Sequence, residues 1–99
     1  MSLNKTIYGE VRLLTEVNGM PEVGFTTPRH RVELFEEVNP AAAWITEIIV
    51  LGDLPWREGE GRRVEIRIMS DEFRDYVTIN RPHLLVRYGS RVIGSLELE

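Results

Sequence analysis

The closing segment, Leu84 to Glu99, constrains the fold more than any other part of the chain. Two β-rich runs, Leu84 to Tyr88 and Arg91 onward, are separated by a Gly89-Ser90 loop. Glycine at the first loop position supplies the positive φ of a type II′ turn, whose twist matches the strands it joins. A ribbon held that tightly pins the edge of a sheet and sets its register. With a two-residue loop, Val86 and Ile93 face each other. Continuing that parity puts Leu96 and Leu98 on the solvent side, so a bulge at Gly94-Ser95 is expected to return both leucines to the core.

Upstream, period-two alternation recurs. Between Thr6 and Thr15, Ile7, Gly9, Val11 and Leu13 share one face. Between Arg29 and Glu36, His30, Val32 and Leu34 oppose Arg31, Glu33 and Phe35. Trp44 to Leu51 is apolar on both faces, which predicts a strand covered on both sides with Trp44 in the core. Arg62 to Met69 alternates most cleanly, with Val64, Ile66 and Ile68 inward. Ser70 to Asp75 is ambiguous, and Tyr76 to Ile79 reads as a short strand ended by Asn80-Arg81-Pro82. Breakers mark the connections: Asn18-Gly19-Met20-Pro21 with Gly24 and Pro28, Asn39-Pro40, and Gly52 to Gly61. Pro40 is expected to start a single helical turn over Ala41 to Ala43, and no longer helix is expected.

The expectation is an all-β fold: one domain over residues 1–99, a small six-stranded antiparallel closed barrel, because closure removes exposed edges. Residues 1–5 are expected to be disordered or a leader ahead of it. A chain of 99 residues that is 42% apolar buries one core without staples. No apolar run reaches the roughly 18 residues of a membrane span, and no signal-peptide core is visible. There is no cysteine, which excludes disulfides and thiol chemistry and fits a reducing cytoplasm. Sixteen acids against 12 bases leave a net charge of −4, with no general attraction for phosphate backbones, so DNA is not expected as a ligand. Every base except Lys5 is arginine.

The run Arg87-Tyr88-Gly89-Ser90-Arg91-Val92-Ile93-Gly94, after apolar Leu84 to Val86, resembles the closing hairpin of the C-terminal barrel of elongation factor Tu. The opening strand, the Gly24 to Arg31 stretch and the breaker-rich approach to Val64 agree with that family in order. The resemblance implies a six-stranded antiparallel barrel without chemistry of its own, lending surface to aminoacyl-tRNA and to an exchange factor. It places Tyr88, Gly89, Ser90 and Arg29 on the tRNA-facing side. Tyr88 stands where the family has an acid, and Ser90 where it has a second glycine. No Gly-x-x-x-x-Gly-Lys-Ser/Thr loop is present, so no nucleotide is expected to bind.

Catalytic and metal residues are not expected, and no cofactor is implied. Ser70, Ser90 and Ser95 lack a nucleophile elbow. His30 and His83 would share a site only if their strands were neighbours, and the ligand spacing for a metal is absent. Arginines such as Arg62, Arg63 and Arg67 lie on strand faces that also carry Glu33 and Glu65, a pattern for ion pairing. The leading expectation is an interaction module, not an enzyme. It would bind a protein partner or a second copy of itself through Trp56, Arg57, Tyr88, Gly89 and Arg91, although Trp56 reads equally well as a loop tryptophan folded back as a lid over a barrel end. The alternatives are an RNA-binding surface of Arg29, Arg31, Arg87, Arg91 and Tyr88, and a small-ligand or enzymatic site at a barrel mouth near the histidines.

Overall fold

The structure is a computed structural model describing residues 6–14 and 25–99. The expected turn at Asn18 to Pro21 lies outside the described residues. Six strands, β1 (Ile7–Leu13), β2 (Arg29–Phe35), β3 (Trp44–Val50), β4 (Gly61–Ile68), β5 (Leu84–Tyr88) and β6 (Arg91–Leu98), form a closed antiparallel barrel in the order β1-β4-β3-β2-β5-β6. Closure comes from β1 pairing with β6, Gly9 opposite Leu98 through Leu13 opposite Gly94. The alternating inward residues make the core, with Val11, Leu34, Val64, Leu84, Val86 and Leu96 fully buried.

The closing hairpin forms as the sequence requires. Gly89 has φ 65° and Tyr88 pairs directly with Arg91. A bulge is present, but it lies nearer the turn than Gly94-Ser95. Val86 pairs with Gly94 and Arg87 with Val92, leaving Ile93 as the extra residue on β6. The consequence is the one expected for Leu96, which is buried, and Leu98 is half-buried. Gly94 sits there because a Cβ would lie 2.5 Å from the Arg12 carbonyl oxygen on β1.

Three expectations are corrected. Ser70 to Asn80 holds neither coil nor strand but a helix, α1 (Asp71–Asn80). The Ser70 hydroxyl caps it by accepting from the Phe73 amide at 3.2 Å, and Asp71 and Glu72 occupy the first turn, where carboxylates favour the helix dipole. Phe73 and Val77, one helical turn apart, bury together and plug one mouth of the barrel. The β-branched run Val77-Thr78-Ile79 mimics a strand, but only Val77 of the three is buried. Second, β3 is not covered on its outer face, where Ile45 is 54% exposed and neighbouring Leu51 46%. Trp44 is half-buried and stacks on Phe73 with ring centroids 4.8 Å apart. Third, Asn39 to Ala42 forms a hydrogen-bonded turn at 3.2 Å, not a helical one.

Candidate functional site

The opposite mouth of the barrel gathers the ends of β1, β3 and β5 and the starts of β2, β4 and β6. The connection between β3 and β4 closes it. Trp56 turns inward and is 0% exposed, its Nε1–H donating to the Glu60 carbonyl at 2.8 Å. Phe25 and Trp56 form an antiparallel bridge, each amide donating to the other's carbonyl at 2.8 Å. Glu60 ties the turn below: its carboxylate accepts from the Arg57 amide at 2.9 Å and from Arg62 Nη2 at 3.1 Å. The Arg57 amide, with Arg62 beside it, holds this carboxyl below its ordinary range. Trp56 therefore acts as a lid on the barrel end, correcting the expectation that it meets a partner. Its tightness follows from indole area buried with its single donor satisfied.

Above that lid sits an aromatic cluster that alternation alone does not reveal. Phe25 lies 4.5 Å from the His30 ring, 5.9 Å from Trp56 and 5.7 Å from Tyr88, centroid to centroid. Tyr88 is the outermost member, 45% exposed, at the base of the Gly89-Ser90 turn. His30 is 7% exposed, and its Nε2–H donates to the Thr27 carbonyl at 2.8 Å. Burial lowers its pKa below 6.5, and the Thr27 hydrogen bond opposes that shift only in part. The ring is thus a neutral support for Tyr88, 6.2 Å away.

The expected binding residues divide. Tyr88, Gly89 and Arg91 stand together at this end, and Arg29 opens β2 there. Arg57 shares the lid loop and is exposed. Arg29 lies 3.8 Å from Glu47, and Arg87 donates to Glu33 at 3.1 Å while covering the Phe35 ring. Arg31 is exposed, with no ion pair among the described residues. The expected cross-strand ion pairing appears between Arg87 and Glu33, whereas Arg67 pairs with Glu65 on its own strand at 2.8 Å and Arg63 is bidentate on Glu99.

The histidine site does not form. β2 and β5 are neighbours, but His83 is exposed just before β5 whereas His30 sits beside Tyr88 at its far end. Five extended residues separate the two by roughly 16 Å. No group of three or more His, Cys, Asp or Glu side chains able to hold a metal occurs among the described residues. Nor is any described helix long and apolar enough to cross a membrane.

No family model, curated protein or solved structure matches the chain.

Proposed function

We propose that this barrel is a non-catalytic interaction module that meets a protein partner, or a second copy of itself, with its hairpin end. The observation that carries the reading is Tyr88: nearly half exposed, yet backed by Phe25 and His30 over a fully buried Trp56. An aromatic anchor ordered before contact loses little side-chain freedom on binding, and interface energy concentrates in tyrosine, tryptophan and arginine. Arg91, the cross-strand neighbour of Tyr88, supplies a guanidinium at the same tip. The hairpin's resemblance to the elongation factor Tu barrel supports the same role, and the absence of cysteine supports a cytoplasmic setting.

The test is light scattering across a concentration series, joined to cross-linking and purification of retained proteins. The expected result is a dimer or a defined partner whose affinity falls about 30-fold in Tyr88→Ala, the size of an interface hot spot of about 2 kcal/mol. A strict monomer with no Tyr88-dependent partner overturns the proposal.

The RNA reading draws on the same end of the barrel. It is the weaker of the two because Arg29 and Arg87 already have carboxylate neighbours and the chain is acidic overall. It requires RNA affinity that falls steeply with salt.

A further inference from the structure

The mouth plugged by α1 carries a second concavity that owes nothing to the hairpin end. An open cavity of about 300 Å³ lies between α1 and the connection from β2 to β3, at the lower end of the usual range for small-ligand pockets. Its walls include Trp44, Phe73 and Tyr76, with Glu36 and Glu72 at the rim. The rings form a stack, Trp44 on Phe73 at 4.8 Å and 11°, then Phe73 to Tyr76 at 6.3 Å and 19°. Tyr76 donates its hydroxyl to Glu36 Oε1 at 2.7 Å, which fixes that carboxylate at the edge of the ring stack. That hydrogen bond also raises the Tyr76 pKa and keeps the phenol protonated. Glu72 has no side-chain partner among the described residues, and no lysine, arginine or histidine lines the cavity. The nearest helical base in sequence, Arg74, is engaged by Asp71.

We propose that this cavity binds an organic cation, an alkylammonium or guanidinium group, between the aromatic wall and the two carboxylates. Aromatic faces attract such cations through the ring quadrupole, and two rim carboxylates with no lining base supply the matching sign. An anion would meet repulsion there, and a neutral apolar guest would strip water from Glu36 and Glu72 without return. The group could arrive on a free amine or on a basic side chain. The chemistry is shared, and the test separates the sources.

The experiment is an amide and indole NMR titration of the full chain with tetramethylammonium chloride and with N-acetyl-arginine amide. Tert-butanol and N-acetyl-citrulline amide serve as neutral counterparts. The expected result is saturable shifts at the Trp44 indole and the Ala42 amide, with dissociation constants on the order of a millimolar at low salt. The Trp56 indole, buried at the other end, stays fixed as an internal reference and reports that variants are folded. Glu36→Gln and Glu72→Gln should each weaken binding about threefold and together about tenfold. Tyr88→Ala should leave it unchanged, so this proposal and the hairpin-end reading fail separately. A capped Gly-Arg-Gly peptide binding about tenfold tighter than the capped amino acid identifies a polypeptide source, and equal affinity a free cation. The proposal is overturned by no saturable shift, by equal binding of the neutral counterparts, or by glutamine variants that keep full affinity.

Discussion

Trp56 and His30 sit within the same end of the barrel, and each ties a side chain to a backbone carbonyl. Removing the indole in Trp56→Ala leaves a void where Phe25 and the core lose their packing partner, at a cost of about 3–5 kcal/mol. Trp56→Phe should cost far less, about 1–2 kcal/mol, because the Glu60 carbonyl still accepts from the Leu13 amide at 3.1 Å. Urea midpoints at constant slope measure both, and equal losses would show that the hydrogen bond matters more than the volume. His30 predicts a pH effect of definite sign. Its folded pKa lies below the unfolded value of 6.5, so the unfolded chain takes up the proton first as pH falls. Stability should be full above about 6.5 and decline as pH drops from there toward the lower folded value. His30→Gln should flatten that interval while leaving any decline from carboxylate protonation at more acid pH.

At the level of elements, α1 combines one good end and one strained end. Ser70→Ala removes the side chain that caps the Phe73 amide and should cost about 1 kcal/mol. Arg81, at the other end, holds a left-handed conformation, φ 47° and ψ 55°, while its amide donates to the Val77 carbonyl. That conformation costs a non-glycine residue about 1–2 kcal/mol, and glycine gives back about 0.5–1 in chain entropy. Arg81→Gly should therefore raise stability by about 0.5–1 kcal/mol. Opposite shifts in thermal midpoint for the two variants check this, and a destabilised Arg81→Gly would mean the arginine side chain itself holds the helix end. The helix signal was present in the sequence as Ser70-Asp71-Glu72 with Phe73 and Val77 one turn apart. Strand-like Val77-Thr78-Ile79 competes with it locally, and only the open barrel mouth, which needs two apolar side chains from one helical face, resolves the conflict. The bulge shows a milder form of the same limit. Glycine in the strand and the leucine parity called for a register shift, but its place at Ile93 depends on how closely β1 approaches Gly94.

Taken whole, the molecule is one closed ladder with a plug at each mouth, Phe73 and Val77 at one and Trp56 at the other. Such a closed architecture has no free edge at which to open, and its core is continuous from plug to plug. Unfolding should therefore be a single cooperative transition, with far-UV dichroism and fluorescence from Trp44 and Trp56 giving coincident curves. Separate transitions would mean that one plug releases before the barrel. The strands and the tight ribbon at Gly89 were determined by sequence alone, because alternation and turn chemistry act between residues close in the chain. Which aromatic seals a mouth and which faces solvent was decided only in three dimensions. Trp56 and Tyr88 both stand in polar, turn-rich sequence, and the bridge to Phe25 buries one while the hairpin lifts the other. The same holds for the distance between His30 and His83 and for the cross-strand ion pairs of Arg87 with Glu33 and Arg29 with Glu47: these depend on strand order around the barrel, which pairing between distant segments alone establishes.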